Sequence, residues 1–406
     1  MSPANISNSS LDSTPVVTAK PKSKRIYELD GIRALAALNL LLFHFTWVYH
    51  AKYGFESPIF GMMFPYGKYG VAMFFMLSGF VNAFTLIRKK PTSSDFVAGR
   101  AIRILPSYWL VILSNVFLLS SFSMFGHSVT ATSTLANATV MPKLFGFENM
   151  EPVTWTLMIE LLFYGFLLFA LYTGRLARPM FGLMMTVVGI CFCGALANQF
   201  IQSNMAGTQL ASISSFVDEV LLFRWMPLFS MGILLNEIKM KRGSNYLNAF
   251  GILVSAIVFH AVDVKDHNPV MMAGMFGMLA LSAYGKLPIL RFKPLLFVGT
   301  ISYSLYLFHN NIGTLLMSSL EQIGVYPLVS FFITFAFVIA MSAAITFWFE
   351  QPVTRFLRKL WQDCRESQSS FSETVSRIKE VTAEILFPRT KQRKPVPVRS
   401  IRTKRM

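Results

Sequence analysis

Residues 28–44 read ELDGIRALAALNLLLFH and open the first long apolar stretch of the chain. The stretch covers about residues 32–50, which is too long for a cleaved signal peptide and long enough to cross a bilayer as a helix. Arg33 and His44 are eleven residues apart, so a helix places them on nearly the same face, about 16 Å apart along its axis. An ionisable side chain inside a membrane span is costly, which makes His44 a functional candidate.

The composition extends this interpretation to the whole chain of 406 residues. Hydrophobic residues make up 53% and charged residues only 14%, with a mean hydropathy of +0.50, whereas an ordinary soluble domain has about 25% charged residues. Despite a net charge of +17, the chain has too few polar residues for a soluble, disordered or nucleic-acid-binding protein. Its three cysteines show no spacing that predicts a disulfide framework or a zinc site.

Continuous apolar runs predict an all-α, polytopic membrane protein with about ten transmembrane helices, because barrel strands would alternate in polarity. The runs cover about residues 32–50, 70–87, 103–123, 154–173, 180–200, 219–236, 247–263, 268–284, 296–318 and 326–349. We expect a disordered basic segment at 1–25 and a membrane domain at 26–352. Residues 353–406 predict a basic cytoplasmic tail whose amphipathic helices lie along the bilayer surface.

The loop charges predict that both termini are cytoplasmic, since cytoplasmic loops are enriched in Lys and Arg. With this assignment, the cytoplasmic loops contain Arg88, Lys89, Lys90, Arg100, Arg103, Arg175, Arg178, Lys239, Lys241, Arg242, Lys286, Arg291 and Lys293. The outer loops contain four lysines and eight acids: Lys52, Lys68, Lys143, Lys265, Glu56, Glu148, Glu151, Asp218, Glu219, Asp263, Asp266 and Glu321. A missed or extra span would invert the pattern downstream, so the charges support the count of ten.

Four ionisable residues are predicted at similar depths in the outer half of the membrane, on four different helices. They are His44, Glu160, Arg224 and His309. Their common depth suggests one shared polar cavity. Simpler explanations exist, since His44 would also suit a buried histidine bonded to a carbonyl, and Arg224 would also suit a pair with Asp218 or Glu219.

A second group lies at the cytoplasmic rim. Arg100 and Arg103 are one turn apart at the start of the third span, and Arg33 is predicted at the same level. Guanidinium groups grip phosphates in a bidentate way, so the three are candidates for binding a polyanion. These arginines are equally well explained as positive charges that keep their loops on the cytoplasmic side, a role here called topology signalling. Asp30 is expected to cap the first helix, with a bond to Arg33 as the alternative.

Six short motifs, in their order along the chain, resemble the acyltransferase family 3 membrane proteins. They are Arg33 with His44, residues 74–80 (FFMLSGF), residues 100–103 (RAIR) with Pro106, Tyr108 and Trp109, residues 155–160 (WTLMIE) with Phe163 and Tyr164, residues 299–309 (GTISYSLYLFH), and residues 350–352 (EQP) with Arg355. The resemblance covers about residues 26–360. Such proteins often carry a soluble esterase-like domain after the membrane part, and the tail here is too short for one.

The resemblance implies transfer of an acyl group, usually acetyl, from a cytoplasmic acyl-coenzyme A to a hydroxyl of an extracytoplasmic glycan or glycolipid. Arg33, Arg100 and Arg103 are then expected to bind the donor. We expect His44 to be the general base, because imidazole titrates near neutral pH, with an acyl-histidine intermediate as a variant. Glu160 is expected to orient or charge-tune His44, or to bind sugar hydroxyls.

Five further residues are expected to line the acceptor pocket, and purely structural roles are equally compatible with Ser302 and Tyr303. They are Trp155, Tyr164, Ser302, Tyr303 and His309. The donor acetyl-CoA is a substrate, so we expect no bound cofactor and no metal. The expected partners are acyl-CoA, the glycan or glycolipid acceptor and membrane lipids, without nucleic acid. The expected location is a plasma membrane, or an inner membrane if the source is bacterial.

Two other functions are compatible with the composition. A secondary transporter of a small anionic or sugar-like solute would also keep charged groups in a midplane cavity. A lipid-binding scaffold would use the amphipathic tail as its active part. Both alternatives leave the ordered series of six motifs unexplained.

Overall fold

The computed structural model of the protein describes residues 26–53, 63–122, 129–221, 223–262 and 268–367, and within these ranges it contains helices and turns without a strand. The all-α class is therefore confirmed. The helices are α1 (Tyr27–Phe43), α2 (Tyr49–Tyr53), α3 (Tyr69–Lys89), α4 (Ser93–Ser121), α5 (Ala131–Ala138), α6 (Trp155–Tyr172), α7 (Phe181–Asn204), α8 (Gln209–Leu221), α9 (Met226–Lys239), α10 (Asn245–Val262), α11 (Pro269–Ala283), α12 (Lys293–Phe308), α13 (Asn310–Gln322) and α14 (Pro327–Ile345).

Seven helical segments of the described chain are long and apolar enough to cross a membrane. They are Tyr27–Lys52, Pro65–Lys89, Ser93–Ser121, Pro152–Tyr172, Phe181–Asn204, Asn245–Val262 and Pro327–Ser367, and each coincides with a predicted span. The other three predicted spans, at about 219–236, 268–284 and 296–318, correspond to shorter helices. The count of ten therefore stays a prediction.

Three predicted spans differ from single helices of the same length. The stretch 219–236 is not one helix, because α8 ends at Leu221 and a 3-10 turn precedes α9. The stretch 296–318 is interrupted at His309, between α12 and α13. The helix that contains the last predicted span extends beyond residue 349, since α14 passes through the π-helical turn Thr346–Glu350 and the helical segment continues to Ser367.

Helix α1 packs mainly against α12 and α3, and α3 packs mainly against α9. Glycines allow these approaches: a Cβ on Gly299 of α12 would collide with the backbone carbonyl of Asp30 in α1, and one on Gly232 of α9 would collide with that of Met76 in α3. Close backbone approach through small residues is how membrane helices commonly associate. The glycines therefore bring the N-terminal motif on α1 next to the late motif on α12.

The C-terminal helix is attached to the start of α4 through one carboxylate. Asp95 accepts a hydrogen bond from the indole Nε1 of Trp361 at 3.1 Å and forms an ion pair with Arg365. Residues 353–367 thus continue the last span as one helix, where amphipathic helices along the bilayer surface were predicted. The predicted disordered segment at 1–25 and the rest of the predicted tail lie outside the described residues.

Candidate functional site

Two histidines from distant parts of the chain are in direct contact. Nδ1 of His44 lies 3.0 Å from Nε2 of His309, and the ring centroids are 4.9 Å apart. His44 begins the π-helical turn His44–Val48 that follows α1, and His309 lies at the interruption between α12 and α13. Both helices are therefore irregular at the histidine, and such irregularities are frequent at functional sites.

A buried polar cluster holds the chain in place directly after His309. The side-chain amides of Asn115 and Asn310 each donate a hydrogen bond of 3.2 Å to the carboxylate of Glu151, which is fully buried. Glu151 precedes the span that begins at Pro152, and burial raises its pKa to about 8. The cluster anchors the first turn of α13 and thereby the helix interruption that carries His309.

The neighbouring carbonyl groups assign the protons of the two rings. Nδ1 of His309 lies 3.0 and 2.9 Å from the carbonyl oxygens of Leu305 and Tyr306, which only accept, so this nitrogen carries its hydrogen. In the neutral ring Nε2 of His309 is then an acceptor, and Nδ1 of His44 donates to it and to the Leu40 carbonyl oxygen at 2.9 Å. Nε2 of His44 keeps the lone pair, which is the form that a general base requires.

A cavity of about 110 Å³, here named the arginine chamber, lies between α1, α3, α4, α6 and α12. Its charged lining residues are Arg33, Arg100, Arg103 and Glu160. Three guanidinium groups and one carboxylate line this cavity, and Arg103 also interacts electrostatically with Glu350. The guanidinium groups offer paired hydrogen-bond donors, which suit an anionic ligand.

Two of these arginines are held by neighbours within the fold. The Arg100 guanidinium lies 5.3 Å from the Phe96 ring centroid and 5.2 Å from that of Tyr164. Arg33 pairs with Asp30 at 2.7 Å. The predicted capping role of Asp30 is wrong, because α1 begins at Tyr27 and Asp30 already lies within its first turns.

The carboxylate of Glu160 belongs to the arginine chamber. It accepts hydrogen bonds from the hydroxyl groups of Tyr164 and, at 3.1 Å, Ser78. It also interacts electrostatically with Arg100 and Arg103. Glu160 therefore acts as a counter-charge of the arginines, and the predicted position beside His44 is occupied by His309 instead.

A second cavity of about 270 Å³, here named the histidine chamber, is lined by His44. Its charged lining residues are Lys68, just before α3, and Arg224, in the turn between α8 and α9. The indole rings of Trp155 and Trp225, with centroids 5.3 Å apart, form part of its wall. None of the described residues that line it is acidic.

Val71 and Tyr306 line both chambers and form their shared wall. The Tyr306 hydroxyl lies within 2.6 Å of both the Val153 carbonyl oxygen and the Thr156 hydroxyl, which fixes the ring. The two chambers therefore adjoin each other at Val71 and Tyr306.

The prediction of one cavity for the four ionisable residues is wrong. His44 and Arg224 line the histidine chamber, and Glu160 lines the arginine chamber. His309 is 2% exposed and contacts His44 rather than lining the pocket. Similar depth along separate helices therefore did not place the four residues around one cavity, since the direction of each side chain depends on how the helices pack.

The five residues predicted for the acceptor pocket are also divided. Trp155 lines the histidine chamber, whereas Tyr164, Ser302 and Tyr303 line the arginine chamber. The Tyr303 hydroxyl donates to the Ile104 carbonyl oxygen at 2.9 Å, and the Ser302 hydroxyl donates to a carbonyl within its own helix. Six residues separate Tyr303 from His309, or about 9 Å along a helix, which places them at different levels.

Several lining residues carried no individual signal in the sequence. Ser78, Asn82 and Tyr306 occur within or beside the quoted motifs, but uncharged polar residues are common in spans. Lys68 lies just before a predicted span, and Trp225 lies inside the predicted span 219–236, at the 3-10 turn that interrupts it. Among the described residues, no three His, Cys, Asp or Glu side chains come together as a metal site requires.

Comparison with known proteins gives a match over most of this structure. A family model described as an acyltransferase domain matches residues 26–349. The exopolysaccharide production protein ExoZ of Rhizobium meliloti (strain 1021) is 29% identical over 267 residues, which cover 61% of this chain and 77% of that protein. The putative peptidoglycan O-acetyltransferase YrhL of Bacillus subtilis (strain 168) is 25% identical over 338 residues, which cover 73% of this chain and half of that protein. No solved structure matches the chain.

Proposed function

The chain belongs to this acyltransferase family, and we propose that it moves an acetyl group from cytoplasmic acetyl-CoA to a hydroxyl of an extracytoplasmic glycan or glycolipid. Membership makes the protein an acyltransferase. One relative is named for exopolysaccharide production and the other for peptidoglycan O-acetylation, which supports a glycan acceptor here.

The proposal includes ten spans in a plasma or bacterial inner membrane, with both termini in the cytoplasm. The ten spans are the seven long apolar segments together with three shorter ones, formed by α9, by α11 and by the α12–α13 pair. The concentration of Lys and Arg in alternate loops supports this orientation. Helix α1 then begins on the cytoplasmic side and reaches His44 in the outer half of the membrane.

The observation that carries the function is the division into two chambers with one shared wall. In the proposed orientation the arginine chamber faces the cytoplasm, where acyl-CoA is found, and the histidine chamber faces the glycan. An acyl group presented at the wall formed by Val71 and Tyr306 would lie next to both chambers. A donor site and a base separated in this way suit transfer across a membrane.

The arginine chamber supports a polyanionic thioester as the donor. Guanidinium groups bind phosphates through paired hydrogen bonds, and Arg33, Arg100 and Arg103 supply three of them. Acetyl-CoA is a polyanion in the cytoplasm. An arginine-lined cavity on that side would hold its anionic part while the narrow thioester end points towards the wall.

The histidine pair supports direct transfer with base catalysis. Nε2 of His44 takes the proton of the acceptor hydroxyl as its oxygen bonds to the thioester carbonyl carbon. The carbon–sulfur bond then breaks, and the proton passes from His44 to the sulfur, which leaves as a thiol. His44 holds a positive charge in between, and Nε2 of His309 accepts the Nδ1 hydrogen throughout. In the alternative mechanism, Nε2 of His44 itself attacks the thioester carbonyl carbon and an acyl-histidine intermediate forms. The same arrangement of the two histidines would serve this mechanism.

Purified protein in lipid nanodiscs, supplied with labelled acetyl-CoA and an oligosaccharide acceptor, tests the proposal. His44→Ala should lower the transfer rate by about 10²- to 10⁴-fold, the usual range for loss of a general base. His260→Ala is the matched control, because His260 lines neither chamber. Equal rates in His44→Ala and the parent would exclude the base role, and transfer from acetyl phosphate but not from acetyl-CoA would exclude the donor.

A further inference from the structure

A third cavity of about 310 Å³, here named the apolar slot, lies between α9, α10 and α11. Each helix contributes one buried side chain to its lining: Met231 from α9, Phe259 from α10 and Met272 from α11. Leu253 and Ala273 also line the slot and are exposed, so it is open on one side. In a membrane this open side faces the hydrocarbon of the bilayer.

The slot is apolar along nearly its whole length. Its described lining consists of aliphatic, aromatic, methionine and small residues, with the exception of His260, which lies near the end of α10. A glycine of α11 keeps the slot free, because Gly277 lines it and a Cβ there would meet no atom within 4 Å. Such a lining suits a hydrocarbon chain, whereas the polar groups of a sugar would lose their hydrogen bonds in it.

The length of the slot matches one leaflet of a bilayer. The slot follows α10 from Ala249 to His260, a distance of eleven residues or about 16 Å along a helix axis. The hydrocarbon core of a bilayer is about 30 Å thick, so the slot covers about half of it. In the proposed orientation the His260 end lies on the outer side. A chain that fills the slot from this end therefore belongs to an outer-leaflet lipid.

The outer end of the slot adjoins the histidine chamber at two points. The ring of Phe259, in the slot, packs against the indole of Trp225, in the chamber wall, with centroids 5.9 Å apart. At the start of α11 the backbone N–H of Asn268 donates a hydrogen bond to the hydroxyl of Tyr69, which directly follows Lys68 of the chamber wall. A head group that projects from this end of the slot therefore lies beside the histidine chamber.

We propose that the apolar slot holds the hydrocarbon chain of a lipid-linked acceptor, whose sugar reaches the histidine chamber from the outer leaflet. The proposal rests on the proposed function and names the acceptor class for that reaction, a glycolipid rather than a free glycan. The chain keeps the acceptor in the plane of the bilayer while a sugar hydroxyl faces His44. An acceptor without a chain enters the same chamber but lacks this anchor.

Two probes with the same sugar separate the chain from the head group: decyl glucoside carries a long alkyl chain, and methyl glucoside lacks one. Gly277→Phe fills the slot with a ring, and Ala273→Leu narrows it by a smaller change. Gly274→Phe is the matched control, because Gly274 lies in the same helix, also has no atom within 4 Å of a Cβ, and does not line the slot. The full-length protein in nanodiscs receives acetyl-CoA, and kcat and KM are measured for each probe.

We expect Gly277→Phe to raise the KM for decyl glucoside about tenfold or more, because the chain loses its packing contacts in the slot. The KM for methyl glucoside should stay close to that of the parent, since this probe has no chain to lose. Ala273→Leu should give a smaller rise, and Gly274→Phe should match the parent with both probes. Partition of a probe into the nanodisc is the same for every variant, so it cancels in these comparisons.

A binding measurement makes the test independent of turnover and of the folding of Gly277→Phe. Decyl glucoside with a photoreactive diazirine at the end of its chain should label Ile252 and Phe276, which line the inner half of the slot. Excess unlabelled decyl glucoside should suppress this labelling, and Ala273→Leu should weaken it. Excess methyl glucoside should suppress it much less.

Three results would overturn the proposal: an equal rise in KM for both probes in Gly277→Phe, an unchanged KM for decyl glucoside in that variant, or labelling of the slot without competition by decyl glucoside. The last result would show that the slot holds an ordinary bilayer lipid. Each leaves the proposed function standing as long as His44→Ala abolishes transfer to methyl glucoside. Transfer that is insensitive to His44→Ala would instead overturn the proposed mechanism. His260→Ala stays a control for an oligosaccharide acceptor, because such an acceptor places no chain in the slot.

Discussion

Nδ1 of His44 and Nε2 of His309 lie 3.0 Å apart although 265 residues separate them in the chain. The contact joins the end of α1 to the interruption between α12 and α13. In the proposed mechanism His309 is a positioning residue, which holds the ring of His44 and its tautomer so that the Nε2 lone pair is available.

Replacement of His309 tests this relationship. His309→Ala should lower kcat by about tenfold to a hundredfold and leave the KM for acetyl-CoA unchanged. Loss of the residue that hydrogen-bonds to a functional histidine typically has an effect of this size. His309→Gln should restore part of the rate, since its side-chain oxygen can accept the Nδ1 hydrogen of His44. Steady-state kinetics and the pH profile of kcat provide the measurement. Equal losses in the Ala and Gln variants, with lower thermal stability in both, would indicate a packing role.

The proposed role of the arginine chamber in donor binding makes a separate kinetic prediction. Arg103→Gln should raise the KM for acetyl-CoA by about tenfold or more, because a charge-assisted hydrogen bond to phosphate is lost. Arg175→Gln is the matched control, since Arg175 is an exposed loop residue predicted on the same side of the membrane. A drop in membrane-inserted protein without a change in KM would instead support topology signalling for Arg103.

The shared wall predicts that transfer can be blocked without loss of the donor site. Val71→Trp should narrow the passage between the chambers and abolish acetyl transfer, while binding of acetyl-CoA persists. Val71→Ala should retain transfer, and Val97→Trp is a control at a position that is 48% exposed. Binding is measured by calorimetry and transfer with labelled donor. Full transfer by Val71→Trp would show that the acyl group takes another route.

The raised pKa of Glu151 predicts that the stability of the folded protein depends on pH. The pKa of its carboxyl group is about 8 in the folded protein against 4.5 without the fold, mainly because of burial. Between these values the folded state holds a proton that the unfolded state releases, so the free energy of unfolding falls as the pH rises. The slope is at most about 1.4 kcal/mol per pH unit for one proton.

Thermal unfolding of the parent and of Glu151→Gln, measured between pH 5 and 8, tests this point. The parent should lose stability with rising pH more steeply than the variant, whose amide does not titrate. Parallel curves for the two proteins would show that Glu151 is already ionised in the fold at pH 5.

Two glycine-to-alanine substitutions should change the stability of the protein differently, because only one of them lies where two helix backbones approach closely. Gly232→Ala should destabilise the protein by about 1–3 kcal/mol, because its Cβ would collide with the Met76 carbonyl oxygen. Gly277→Ala, in α11, should be neutral or stabilising by up to about 1 kcal/mol, because a Cβ there meets no atom within 4 Å. The melting temperatures of both variants in detergent provide the comparison. A stable Gly232→Ala variant would mean that the two helices can separate at little cost.

The sequence by itself determined the helical class, seven helices that are long and apolar enough to cross a membrane, and the charged residues of the two polar groups, because apolar length and helical period are local properties. The prediction that Arg33 and His44 share one helix face likewise follows from the local helical period. Helix ends were predicted less well: the continuation of α14 through Glu350 and the interruption at His309 depend on polar neighbours from other helices. The Ser304 hydroxyl, for example, donates to Glu350 at 2.7 Å from α12.

Only the tertiary structure decided which polar residues meet. Helical period predicts the depth and face of a residue on its own helix, but the direction of that face depends on how the helices pack. Gly299 and Gly232 set those packings through close backbone approach. As a result His309, rather than Glu160, became the partner of His44, and the polar residues line two cavities that have Val71 and Tyr306 in common.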